Sequence, residues 1–254
     1  GPAVDRHPRA AQDRPPELQG MVEETLMNDR EQILSRIREA LKVDPLVHAG
    51  RQPAPTPASN DPRTFMPLVG ASADDRLNLF QLHSKDLRTE LIQAADPADA
   101  KTKLAELATR EGWKKLALHA GELVAPACEG LAVTTLRTDE PYNVDDLETC
   151  DAGVSECEAL IAQTGSVMVT SRTNGGRALS VLPPHHVILA RRDQLVADLT
   201  DAFARLRAAC GQSFPSMISF ITGPSRTGDI ERILVLGAHG PKKLTVILIG
   251  RLVD

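Results

Sequence analysis

Apolar positions first recur at helical spacing between residues 28 and 41. Asn28 followed by Glu31 fits a capping box, and Ile33, Leu34, Ile37 and Leu41 then fall on one helical face. Asp44-Pro45 stops the pattern. From Ala73 the helical period returns. Leu77, Phe80, Leu87, Leu91 and Ile92 predict one helix ended by Asp96-Pro97, and residues 98–110 predict a second. Apolar runs of strand length follow at 115–119 and 131–136. Ser155 and Glu158 fit another capping box, which predicts a helix through Gln163 ended by Thr164-Gly165. Residues 166–170 and 186–190 read as strands. Asp193 is placed to cap a long amphipathic helix carrying Leu195, Leu199, Phe203 and Leu206 and closed by Gly211. The last apolar runs lie at 216–222, 233–236 and 244–249.

Strands that alternate with helices, and are apolar throughout rather than at every second position, predict an α/β fold. Its sheet is expected to be mostly parallel and flanked by helices on both faces, with an N-terminal helical extension. The expected organisation is a disordered leader over 1–27, an N-terminal helix over 28–48, a proline-rich linker over 49–72 and an α/β domain over 73–254. Pro53, Pro55, Pro57, Pro62 and Pro67 make the linker stiff and extended, so it tethers the first helix to dock on its own body or on a partner.

Composition narrows the function classes. Hydrophobic residues make up 42% of the 254 positions, enough for a real core, but aromatic residues only 3%, so that core must be aliphatic. Few stacking platforms and a formal net charge of -5 argue against nucleic-acid binding. Cys128, Cys150, Cys157 and Cys210 form no C-x-x-C pair, so buried, reduced thiols are expected rather than a zinc or iron–sulfur site. No apolar run approaches the roughly 20 residues of a membrane-spanning helix. Residues 1–20 lack the hydrophobic segment of a signal peptide, and a cytoplasmic protein is expected.

The candidate chemistry sits in three loops that follow predicted strands. The first, Thr170-Ser-Arg-Thr-Asn-Gly-Gly-Arg177, combines hydroxyls with Arg172, Arg177 and the Gly175-Gly176 pair. Glycines expose backbone N–H groups, and arginines make bidentate contacts to carboxylate or phosphate. Its bland alternative is a hairpin turn, since Asn-Gly is a strong turn signal. The second, Thr222-Gly-Pro-Ser-Arg-Thr-Gly-Asp229, offers Gly223, Ser225, Arg226, Thr227 and Gly228, then the acids Asp229 and Glu231. Those acids suit ligand hydroxyls, or simply pair with Arg226. It is neither a Walker loop nor a G-x-G-x-x-G. The third is Gly237-Ala-His-Gly-Pro241, where His239 between glycines is a candidate acid or base.

Pro183-Pro-His-His186 marks the start of a strand, where only one of His185 and His186 can face a site. His119, His186 and His239 have no metal-ligand spacing, so no metal site is assigned. Ser180 and Ser225 lack the setting of a serine nucleophile.

Five segments in one order carry a resemblance. They are Glu158-Ala-Leu-Ile-Ala-Gln-Thr-Gly-Ser-Val, then Ser-Arg-Thr-Asn-Gly-Gly-Arg, Leu-Pro-Pro-His-His, Pro-Ser-Arg-Thr-Gly-Asp-Ile-Glu and Gly-Ala-His-Gly-Pro. The chain resembles the LUD-domain family, closely over 154–248 and loosely before that. The family commonly has an acidic residue where this chain has Gln163.

The resemblance implies a fold similar to the ribose-phosphate isomerase, CoA-transferase and formyltetrahydrofolate cyclo-ligase group. It also implies a role in oxidation of L-lactate to pyruvate beside two iron–sulfur partner proteins. With no cluster cysteines and no flavin or nicotinamide fingerprint, the chain is expected to carry no intrinsic cofactor, the clusters residing on the partners.

The first expectation is therefore a non-redox subunit that binds a small anion. Its ligand-binding candidates are Ser171, Arg172, Asn174, Gly175, Gly176 and Arg177, and the named residues of the second loop from Gly223 to Glu231. Thr164, Gly165, His186, Gly237, His239 and Gly240 complete the set. The alternative is a stand-alone isomerase, CoA-transferase or ATP-dependent ligase acting on a phosphorylated or carboxylate substrate, with Glu158 or His239 moving the proton.

Overall fold

Six parallel strands, each able to bury both faces, form the main sheet of this protein in a computed structural model. The structure describes residues 29–40, 42, 68–228, 234–236 and 240–250. The chain divides into two units, 1–60 and 61–254. Of the first, the described part is essentially helix α1 (Asp29–Ala40), on which Ile33 and Ile37 are exposed. The expected cap Asn28 and the proline-rich segment 49–67 lie outside the described residues.

The second unit begins with α2 (Ala73–Leu87), where Ser72 and Asp75 make a reciprocal capping box and Arg88 closes the helix in the left-handed conformation, φ 62°. β1 (Glu90–Ala94) follows at once, so Leu91 and Ile92 are strand residues and not the end of the predicted helix. Asp96-Pro97 starts α3 (Pro97–Glu111) rather than stopping its predecessor: the Asp96 carboxylate accepts the Asp99 N–H, and proline takes the first turn. Next come β2 (Lys115–Leu118), α4 (Val124–Cys128), β3 (Thr134–Arg137), α5 (Val144–Glu148) and β4 (Ala152–Glu156).

The predicted helix from Ser155 to Gln163 is absent. That segment is the end of β4 and then β5 (Ala159–Ile161), fully buried on both sides. β6 (Ser166–Thr170) and β7 (His185–Arg191) match expectation. Asp193 does not cap a long helix: it lies in a 3₁₀ turn (Arg192–Gln194) before β8 (Leu195–Val196), and Asp198 caps the shorter α6 (Leu199–Cys210). β9 (Ile218–Ile221), β10 (Arg226–Gly228), β11 (Leu234–Leu236) and β12 (Lys243–Ile249) complete the described elements.

The main sheet runs β1-β12-β7-β4-β2-β3. On one face α3 and α4 pack Leu104, Leu107 and Val124 against Val154, Val187, Leu189 and Ile247. On the other, α2 supplies Leu77 and Phe80 beside a second, four-stranded sheet ordered β8-β5-β6-β9. Along β7 the faces alternate, Val187 and Leu189 to the first core and Ile188 and Ala190 to the second. α6 covers the outer face of the second sheet through Ala202, Leu206 and Cys210. β10 and β11 form a separate antiparallel pair.

Candidate functional site

The pairing of β6 with β9 decides where the sequence-predicted loops lie. The two strands are antiparallel, with Val167 opposite Ile221 and Thr170 opposite Ile218. The loops that follow them therefore leave opposite ends of the second sheet, roughly 14 Å apart for a five-residue strand. The first loop and the second loop do not converge. The second and third do: the Ser225 N–H donates to the Pro241 carbonyl at 2.9 Å, and a Cβ on Gly240 would meet Ser225 Cβ at 3.2 Å.

The first loop covers the carboxyl edge of the main sheet. There β2 leads to β3 on one side, while β4 on its other side leads towards β7, so the crevice between β2 and β4 is a topological switch point. His119 and Glu156 stand at this edge. The Glu156 carboxylate accepts the N–H groups of Leu123 (2.6 Å) and Val124 (3.2 Å), and its own N–H donates to Thr173. Gly175, at φ 57°, lies so close to His119 that a Cβ would come within 2.4 Å of both the His119 Cβ and the Thr138 hydroxyl.

His119 is buried and its Nε2 has no partner. Burial pushes its pKa down, opposed by the charges of Glu156 and Asp139. The arginines of this loop do not point inward. Arg172 donates to the Ser213 carbonyl at 2.9 Å and Arg177 to the Ser216 carbonyl at 3.0 Å, so both pin the loop to the α6–β9 connection. Asn174 is fully buried and donates to Ser180 at 2.8 Å. The Gly176 N–H donates to Ser171 O at 3.0 Å, and the Ser216 hydroxyl donates to Ser171 Oγ. Glu158 accepts the Thr170 hydroxyl at 3.2 Å, beside Thr173.

The second and third loops lead to the amino edge of the same sheet, where the strands β1, β12 and β7 begin. A cavity of about 240 Å³ opens there, lined by Arg88, Arg226, Lys242 and Lys243 at its mouth, with Glu90, Glu111, His185 and Thr245. The N–H groups of Lys242 and Lys243 both donate to Pro184 O, which fixes this corner to the start of β7. Arg226 donates to the Leu87 carbonyl at the end of α2.

The floor is a hydrogen-bonded row. His185 Nε2 meets the Thr245 hydroxyl at 2.8 Å, that hydroxyl meets Glu90 at 3.2 Å, and Glu90 accepts Arg110. The His185 ring packs edge-on against Trp113, and its Nδ1 is buried without a partner. Burial lowers the His185 pKa to about 4, so the ring is neutral at pH 7. Lys243 pairs with Glu111, which holds that carboxyl below its ordinary range. Arg88, Arg226 and Lys242 have no carboxylate partner among the described residues.

The remaining predicted residues fall elsewhere. Gly165, at φ 63°, and Gly223, at φ 83°, seat α2: a Cβ on either would meet His83 or the Leu87 carbonyl within 3 Å. The Thr164 hydroxyl donates to Ser166, which meets Thr222 at 2.8 Å. His186 is not at the cavity. It is buried in the core, bonded to Ser155 at 2.8 Å, with its pKa lowered to about 3 by burial. Thr227 and Gly228 are backbone members of β10, while Asp229, Glu231, Gly237 and His239 lie outside the described residues. No group of three or more His, Cys, Asp or Glu among the described residues is placed to hold a metal.

Sequence reasoning missed Arg88, Glu90, Glu111, Lys242, Lys243 and Thr245. The Lys242-Lys243 pair, directly after the Gly-Pro of the third loop, was the one legible signal for them.

Fold and site together define a parallel α/β protein with a basic cavity at its amino edge. The LUD domain family model matches residues 22–249, and the chain belongs to that family. The lactate utilization protein C of Geobacillus kaustophilus is 31% identical over 212 residues, covering 75% of this chain and 85% of that one. Its namesake from Bacillus subtilis is 29% identical over 207 residues, covering 73% and 83%. A DUF162 family protein from Deinococcus radiodurans, known as a crystal structure, shares the fold. Its TM-score is 0.57 at 23% identity, over 71% of this chain and 100% of the other. No helix among the described residues is long and apolar enough to cross a membrane.

Proposed function

We propose that this chain is a non-redox component of a lactate-utilising system, working beside iron–sulfur proteins that oxidise L-lactate to pyruvate, and that it binds a small anion. The observation that carries the anion is the amino-edge cavity, where Arg88, Arg226 and Lys242 stand without carboxylate partners among the described residues. Cations left unneutralised around a concave site favour an anionic guest. The role in lactate use rests on the names of the relatives.

The non-redox assignment rests on the thiols. All four cysteines are buried and free, and burial alone pushes Cys128 up to about 12, which suits inert thiols and not cluster ligands. Reconstitution tests the proposal: the iron–sulfur partners oxidise lactate with this chain present and lose most of that activity without it. Undiminished oxidation by the partners alone would contradict it.

A second reading, a stand-alone enzyme, is favoured by the switch-point crevice, where His119 keeps a buried, unpartnered Nε2 beside Glu156. Turnover of a carboxylate or phosphorylated substrate by the purified chain, abolished in His119→Gln, would support it. Dependence of all turnover on the partners would count against it.

A further inference from the structure

Resting on the anion-binding reading, we infer that the amino-edge cavity takes a dianionic phosphate group, as on a small phosphomonoester, rather than a monocarboxylate such as lactate. The argument is one of charge and room. Of the six charged side chains lining the cavity, Lys243 and Glu111 satisfy each other, and Glu90 is taken by Arg110 from outside the lining. Arg88, Arg226 and Lys242 remain, three cations with no free carboxylate beside them among the described residues. A single negative charge offsets only one of the three. A dianion offers three acceptor oxygens to two guanidinium groups and an ammonium, Arg226 keeping N–H groups beyond the one that bonds Leu87, and it balances more of their charge.

The backbone at Arg88 supports a dedicated role. Among the described residues it is the only non-glycine at positive φ, a conformation in which a long side chain is disfavoured and glycine or asparagine is usual. The protein holds an arginine there, at the cavity mouth.

Below the cations, His185 presents a neutral ring whose Nδ1 is buried and unpartnered, and the residue is only 4% exposed. Because the Thr245 hydroxyl donates to Glu90, the neutral ring donates from Nε2 and leaves Nδ1 an acceptor. A hydroxyl on the ester's carbon part, or the P–OH of hydrogen phosphate, gives it the hydrogen bond it lacks. The cavity's volume, about 240 Å³, is below the range of sites that enclose drug-sized ligands. A whole nucleotide does not fit inside it; a phosphate with a few carbons does.

The test is thermal unfolding and calorimetric titration of the full chain with inorganic phosphate, glycerol phosphate and lactate. It is run at about pH 8, where phosphate groups are mainly dianionic, and at constant ionic strength. Arg88→Asn removes the charge while keeping a residue that tolerates the left-handed backbone, and Lys242→Gln removes the second unpaired cation. We expect phosphate or glycerol phosphate to bind at least about tenfold tighter than lactate, and each variant to weaken that binding about tenfold or more. Glycerol phosphate binding tighter than phosphate identifies an ester as the preferred form, and the reverse identifies free phosphate; both support a phosphate site. Lactate binding as tightly as phosphate, with loss in Arg88→Asn, overturns the dianion and leaves the anion reading standing. No binding by any of the three overturns both. Phosphate binding that Arg88→Asn and Lys242→Gln leave unchanged places the ion elsewhere and overturns the inference.

Discussion

Two histidines adjacent in sequence, His185 and His186, show what one residue of offset does in a strand. His185 faces the cavity and one core, while His186 faces the opposite side and bonds Ser155. The alternation was legible in the sequence; which of the two faced the site was not, because that depends on register with β12. Burial holds both rings neutral, at about 4 and about 3, against about 6.5 in an unfolded chain. Between those values the unfolded chain binds more protons. The two rings therefore contribute stability that is fully present above about pH 6.5 and is lost as pH falls towards 4 and 3. Urea unfolding is expected to show a loss on the order of 2 kcal/mol per histidine between about pH 7.5 and pH 5. A profile flat across that window contradicts neutral burial. Gly175 is the other decisive residue. In Gly175→Ala the new methyl meets the His119 Cβ at a backbone angle that disfavours it, so a loss of about 2–4 kcal/mol is expected in the same measurement. A change within about 0.5 kcal/mol would mean that the first loop does not rest on His119.

Helix α2 shows how an element can be legible in kind and misjudged in extent. The apolar positions Leu77 and Phe80 were plain, but Leu91 and Ile92 happen to continue the helical phase into β1, and the Ser72–Asp75 capping box went unread. The stop is a backbone event at Arg88, which no residue type announces. The same accident of phase made Ser155 and Glu158 look like a cap, although Ala159 to Ile161 form a strand buried between layers, where periodicity carries no information. Once placed, α2 organises the cavity: Arg226 bonds its last carbonyl, and Gly165 and Gly223 lie against its final turn. Phe80 is wholly buried against the second sheet, so Phe80→Ala should cost about 3–5 kcal/mol by chemical denaturation. It should also loosen the cavity mouth, read as weaker phosphate binding under conditions where the variant is folded. Phosphate binding unchanged in the folded variant would show that the cavity does not depend on how α2 is seated.

At the scale of the whole molecule, the parallel α/β class followed from apolar strands alternating with helices, and the main sheet has that form. The second sheet was not legible. Its antiparallel pairing joins residues about fifty positions apart, and such pairing separates two glycine-rich loops that the candidate ligand set had grouped together. That pairing moves the candidate anion site. The arginines of the first loop tie it down at the carboxyl edge, while cations without a carboxylate partner among the described residues gather at the amino edge. The most direct test of this account uses the histidine ring resonances of the full chain, assigned by single histidine-to-glutamine variants and followed while inorganic phosphate is added. His185 lies on the floor of the cavity and His119 in the switch-point crevice, so the two report on the two edges separately. The account predicts saturable shifts at His185, with His119 unmoved. Saturable shifts at His119, with His185 unmoved, would place the ligand at the carboxyl edge and contradict it.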